Sequence, residues 1–325
     1  MNQLLNYSAH AITDITRHAA ILRRKGNVRD AEGMESFMRN VRSGVKFMLP
    51  DRGSLIYDID DVPGGVEITR LPFPITVIEV PFSTHENMAP GMVASTKRLI
   101  VAREGLWDEA KETFRPLTPE DGFEPNSINV EIACFLPSEN VWALQPVGAL
   151  CIIGSASSTD MPVDSGIYEA DKFGGASFPL IAMPTQPNHA EQMWRQLGAD
   201  MFQQTVAHDV SAEIRMMAEM LTVLSCRNVG TETLTPPAKL ARARIKSGKE
   251  PFSDVLVLTV GGDRMVSATE TGDQGDGFKV RQHVRRGHVR NLANGDRTRV
   301  NRAVIAAGSP RGEVDKAYQV EGFRS

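Results

Sequence analysis

Cysteine is scarce in this chain. There are three in 325 residues, Cys134, Cys151 and Cys226, each among apolar neighbours. No Cys-x-x-Cys and no cysteine–histidine ligand spacing occurs, which argues against a disulfide framework and a zinc module and predicts three small buried hydrophobes. Long apolar runs are also missing. No window approaches eighteen uninterrupted apolar residues, so no membrane-spanning helix is expected. The opening Met1-Asn-Gln-Leu-Leu-Asn6 lacks a basic stretch leading into an apolar one, so the expectation is a cytoplasmic protein without a secretory signal. The glycine pairs Gly64-Gly65, Gly174-Gly175 and Gly261-Gly262 lack the context of a phosphate-binding loop, and no Gly-x-Ser-x-Gly elbow is present. His10 and His18, His208-Asp209, and His283 and His288 have no metal-ligand spacing, so neither a metal nor a cofactor is expected. The acidic group Asp58, Asp60 and Asp61, just before Pro63, reads as a solvated turn.

What the chain does have is a charge asymmetry. From Pro236 to the end it carries 17 Lys and Arg against 10 Asp and Glu, a net charge of +7. The first 235 residues are left with 19 basic and 30 acidic residues, a net charge of −11. A basic segment on an acidic body suits either a polyanionic partner or internal docking of the two parts.

Hydropathy changes period along the chain. Residues 8–48 read as two helices, with Ile12, Ile15, Ala19 and Leu22 on one face of the first and Met34, Phe37, Met38, Val41 and Val45 on one face of the second. Period two follows in 55–59, 65–69, 74–80, 98–102 and 128–136, and 147–153 is apolar enough for a strand buried on both faces. Residues 154–187 read as a loop and 188–226 as one long helix capped by Asn188. Residues 227–237 read as a linker, 238–247 as a short helix with Leu240, Ala241 and Ile245 inward, and 252–260 as a strand.

The densest chemistry lies in Val280-Arg-Gln-His-Val-Arg-Arg-Gly-His-Val-Arg290, read as one strand. A type I′ turn at Asn294-Gly295 would lead into the strand 297–305, which adds Arg297, Arg299 and Arg302. A bulge at Gly287 would bring His283, Arg285, His288 and Arg290 to one surface. Arginine forks hold phosphate or carboxylate in two-point contacts, and a two-stranded ribbon can follow a nucleic-acid backbone. The nucleic-acid-binding candidates are therefore Arg281, Arg285, Arg286, Arg290, Arg297, Arg299 and Arg302. His283 and His288 are candidates for general acid–base work in a metal-independent nuclease, since imidazole titrates near neutral pH. The third reading is a hairpin whose arginines pair with the acidic body.

The last ninety residues resemble a group of bacteriophage and prophage proteins of uncharacterised activity. The resemblance rests on Ser225-Cys-Arg-Asn-Val229, on 239–249, on the His-x-Arg-Arg-Gly-His-x-Arg run 283–290 and on Lys316-Ala-Tyr-Gln-Val320, and extends weakly to Pro72-Phe-Pro74. It implies a phage-encoded protein and carries over no activity. Thr298 and Val300 stand where the resemblance leads one to expect an aromatic, so no stacking role is carried over there.

These observations predict an α+β protein: a mainly antiparallel sheet with long helices in an acidic body, 1–230, plus a small basic α+β module, 236–325, with a β-hairpin. The expected function is that of a phage accessory protein in the cytoplasm of the infected host. It would contact DNA, RNA or a host nucleic-acid-processing machine through the basic hairpin. The alternatives are the His283/His288 nuclease and a protein–protein inhibitor of a host defence system.

Overall fold

The period-two segments 74–80, 98–102 and 128–136 become the centre of one ten-stranded sheet with helices on both faces, whereas the described residues of 55–59 and 65–69, namely 55–56 and 66–69, form none of its strands. The computed structural model describes residues 5–53, 55–56, 66–82, 95–117, 123–155, 180–260, 283–285, 288–300 and 303–305, with the backbone alone for 283–285, 288, 300 and 303–305. The helices are α1 (Tyr7–Arg24), α2 (Val28–Ser43), α3 (Pro187–Leu197), α4 (Ala199–Leu224) and α5 (Ala238–Lys246). The sheet strands are β1 (Val45–Met48), β2 (Ile75–Pro81), β3 (Lys97–Asp108), β4 (Thr113–Pro116), β5 (Ser127–Leu136), β6 (Val141–Leu144), β7 (Val147–Ile152), β8 (Leu180–Pro184), β9 (Val229–Leu234) and β10 (Val255–Val260). Their order is β8-β7-β5-β3-β2-β1-β10-β9, with β4 against β3 and β6 against β5. Neighbours are antiparallel except at β1, which runs parallel to both β2 and β10. The class is α+β, as expected.

Alternation along the strands divides two cores. Val77, Leu99, Val101 and Ala133 pack with the Ile12, Ile15, Phe37 and Val41 face of α1 and α2. Their neighbours Ile78, Ile100, Ala102 and Ile132 pack on the other side with Val210, Ile214, Met217 and Leu221 of α4. Central strands are thus apolar on both faces, which is why 147–152 reads as a continuous apolar run. All three cysteines are free and buried, in keeping with their apolar settings.

Four further segments depart from the sequence reading. Residues 45–48 are a strand, because Gly44 is extended (φ −74°, ψ 150°) and ends α2. A Cβ there would lie 2.7 Å from Val77 Cγ2, so only glycine lets the chain pass so close to the sheet. The single helix expected over 188–226 is broken at Gly198, whose φ 77° and ψ 166° belong to a region open essentially to glycine. Residues 180–184, expected in a loop, form β8, and 229–234, expected in a linker, form β9. Both are edge strands, where a weaker apolar pattern suffices. The acidic group at 58–61 lies outside the described residues.

Buried glutamates pin distant segments to this frame. Glu79 on β2 accepts hydrogen bonds from the Tyr7 and Ser8 amides and the Ser8 hydroxyl, closing the start of α1, which the side chain of its N-cap Asn6 does not cap. Glu219 on α4 accepts from the Leu55 and Ile56 amides and from Arg215. Glu104 on β3 accepts from the Leu71 amide and pairs with Arg70. Glu213 on α4 pairs with Arg98 on β3 at 2.7 Å and ties α4 to the sheet. Each carboxylate satisfies backbone or side-chain donors that would otherwise be buried bare.

Candidate interaction surface

The described residues of the basic run, His283–Arg285 and His288–Arg290, lie in strands of a hairpin. β11 (His283–Arg285) pairs antiparallel with β14 (Ala303–Ile305), and β12 (His288–Asn291) with β13 (Arg297–Val300). Both ladders keep one register, from His283 opposite Ile305 to Asn291 opposite Arg297. Gly287 lies outside the described residues, but a bulge on one strand alone would offset the second ladder by one residue. The turn is not the two-residue type I′ expected. Leu292 donates its amide to Asp296 O, Gly295 donates to Leu292 O, and Gly295 takes φ +88°. That is a three-residue loop with glycine at the left-handed position. Asn294 secures it through its side chain, which donates to Asp296 Oδ2 and accepts from the Asp296 amide.

The inner strand is held by the chain that leaves α4. The Arg227 amide donates to Arg297 O at 2.9 Å. Asn228 clasps Arg299, its side-chain Nδ2 donating to Arg299 O at 2.6 Å and its Oδ1 accepting from Arg299 N at 2.8 Å. Val289 is buried in the same core as Cys226. Burial pushes the Cys226 thiol up, against the pull of Arg299 and Arg297 nearby. So the candidates separate. Arg290 is exposed, while Arg297 and Arg299 are half-buried beside 226–228. For His283, Arg285 and His288 only the strand position is described, and Arg281, Arg286 and Arg302 lie outside the described residues.

At the other end of β9 stands α5. β9 spans six residues, roughly 17 Å at strand rise, and separates the hairpin dock from this helix. No residue of α5 is buried. Leu240 is 45 % exposed and Ile245 61 % exposed, which corrects the inward face expected for them. The two are five residues apart and so do not share one helix line, and Arg244 lies between them. Arg244 anchors the arm instead. Its guanidinium sits 4.1 Å from the Phe252 ring and donates to Glu250 O at 2.7 Å. Phe252 meets His10 of α1, and Glu250 pairs with Arg42 of α2. Lys239, Arg242 and Lys246, all exposed, share the opposite side of the helix.

The surface is therefore an exposed helix whose Lys239, Arg242 and Lys246 stripe is flanked by the bare Ile245 on one side and the bare Leu240 on the other, rooted on α1 and α2. The charge count places an excess of cations in this part of the chain, but the sequence pattern reveals neither the exposure of Leu240 and Ile245 nor the role of Asn228. The broken i, i+4 spacing of Leu240 and Ile245 was the available signal. Among the described residues no group of three or more His, Cys, Asp and Glu side chains could hold a metal ion, and no helix is long and apolar enough to cross a membrane.

Residues 54–302 match the model of the AcrVA2-like family, described as the anti-CRISPR type V subtype A2 family. The match takes in every strand from β2 to the first residues of the hairpin's return, as well as α3 to α5, and stops short of 316–320. Searches of curated proteins and of solved structures returned no match.

Proposed function

The chain belongs to the anti-CRISPR type V subtype A2 family, and from that premise we propose that it is a phage accessory protein that inhibits a host type V CRISPR system by binding a protein component of it through α5. This is the protein-inhibitor alternative of the sequence reading rather than its nucleic-acid reading. One observation carries it: Leu240 and Ile245 stand in solvent beside Lys239, Arg242 and Lys246. A phosphate backbone would use the cations alone. An acidic-rimmed apolar groove on a protein would use both, in the manner of a short helix laid into a groove. Burying the two aliphatic side chains is worth about 1.5–3 kcal/mol each when complete, and the cations raise the rate of encounter. The hairpin arginines Arg290, Arg297 and Arg299 would add long-range attraction from the far end of β9. The site of action would be the cytoplasm of the infected host.

The test is a binding titration of the purified chain against a purified type V effector, with and without nuclease treatment. A complex that survives nuclease and is lost on Leu240→Ser with Ile245→Ser supports the reading. A complex abolished by nuclease, or unaffected by that pair of substitutions, overturns it and returns the nucleic-acid reading.

A further inference from the structure

A second site lies along the N-terminal half of α2 and does not rest on the α5 reading. A groove of about 400 Å³ opens between α2 and the turn joining β8 to α3. Arg29, Glu32 and Ser36 of α2 form one wall, Pro184 and Pro187 the other, and Glu131 of β5 the floor. Its volume falls within the range of small-ligand sites.

Both walls are fixed. α2 approaches the turn so closely at Gly33 that a Cβ would come within 1.9 Å of Thr185 O. The Thr185 and Gln186 amides both donate to Pro146 O at 2.9 Å, and Gln186 Nε2 donates to Leu144 O at 2.7 Å. Asp30 of α2 accepts the Asn188 amide at 2.7 Å and so caps α3 from across the groove. Arg29, on the groove wall, is hydrogen-bonded to Asn188 and lies 3.8 Å from Glu191, so its charge is engaged there.

The floor carries an incompletely satisfied carboxyl. Glu131 is 9 % exposed, and Asn40 Nδ2 donates to its Oε2 at 3.2 Å. No other hydrogen bond or ion pair of Glu131 exists among the described residues, which leaves Oε1 free at the groove. Arg103 acts on this carboxylate only at longer range, with no ion pair between them among the described residues, so the base of the slot calls for a compact cation with N–H donors. A metal ion would want more oxygen or nitrogen ligands than one carboxylate gives. Prolines on the facing wall suit the methylene stem of a long side chain.

We propose that this groove receives a single basic side chain, an arginine or lysine presented by a protein partner, with Glu131 as its counter-charge and Glu32 at the rim as a second attraction. A phosphate-bearing ligand would be repelled at the same point.

The test uses the full chain and three probes: N-acetyl-arginine methylamide, N-acetyl-lysine methylamide and the uncharged isostere N-acetyl-citrulline methylamide. Amide resonances of Gly33, Thr185 and Gln186 are followed by NMR at pH 8. The expected result is a saturable shift with the arginine or lysine probe, weaker by at least about tenfold with citrulline, and weaker by a similar factor in Glu131→Gln. The Gln side chain keeps an acceptor for Asn40, and the citrulline contrast on the unsubstituted chain needs no variant at all. Citrulline binding as tightly as arginine, full affinity in Glu131→Gln, or the absence of a saturable shift would each overturn the proposal.

Discussion

Glu79 on β2 accepts the Ser8 amide at 2.9 Å, so a strand carboxylate closes the first turn of a helix from 71 residues further along the chain. The same carboxylate takes the Ser8 hydroxyl at 2.7 Å and the Tyr7 amide at 3.0 Å. Replacing it by alanine removes the cap and orphans buried donors. Caps are worth about 0.5–2 kcal/mol and an orphaned buried group about 1–3, so Glu79→Ala is expected to cost on the order of 2–4 kcal/mol. Urea denaturation checks the cost, and hydrogen exchange at the first turn of α1 locates it. An unchanged midpoint with unchanged exchange would contradict the capping role.

Arg98 and Glu213 form the ion pair that ties α4 to β3, with side chains 16 % and 3 % exposed. Arg98 also lies 4.7 Å from the Phe82 ring. Removing one partner leaves the other charge buried, so Arg98→Met is expected to cost about 3–5 kcal/mol. The double replacement Arg98→Met with Glu213→Leu should cost less than Arg98→Met alone. Thermal melts of the singles and the double decide this, and additive losses would count against it.

Glu131 gives a pH dependence with a definite sign. Burial pushes its carboxyl from 4.5 up to about 7, against the pull of Asn40 and Arg103. The folded state therefore holds this proton to higher pH than the unfolded chain does. Its contribution to stability is complete below about 4.5 and is lost as pH rises through about 7, a span on the order of 3 kcal/mol. Glu131→Gln should flatten the stability profile across that window and exceed the unsubstituted protein in stability at pH 8. Denaturation curves at pH 5 and pH 8 test it, and equal slopes for the two proteins would refute it.

Asn228 is the clasp of the C-terminal hairpin. Asn228→Ala deletes both side-chain bonds to Arg299, each worth about 0.5–1.5 kcal/mol. The expected outcome is faster hydrogen exchange across β12 and β13 with little change in the main sheet. Global loss of protection in place of a local one would show that the hairpin is not a separable attachment.

Much of this frame is legible in the amino-acid order. The faces of α1 and α2 follow from Ile12, Ile15, Phe37 and Val41, and the central strands from the short apolar-rich segments 75–80 and 98–102. The edges are less legible. β8 and β9 bury few side chains, so they lack a strong period, and β1 hides behind a helix whose apolar spacing runs on to Val45. Gly198 reads as an ordinary helical position until its backbone angles are known. The site was half legible. Charge counting finds the basic end of the chain, but pattern alone places Leu240 and Ile245 inside. Glu131 is invisible to it, since a glutamate in an apolar strand looks like an outward-facing residue until α2 covers that face.

The most direct test of the account is phage plating on host cells that carry a targeting type V CRISPR system and express this chain. The unsubstituted chain should restore plating toward that seen on cells lacking the system. A variant carrying Lys239→Glu, Arg242→Glu and Lys246→Glu, shown to be folded by its melting curve, should fail to restore it. Full protection by that variant, or no restoration by the unsubstituted chain, would contradict the account.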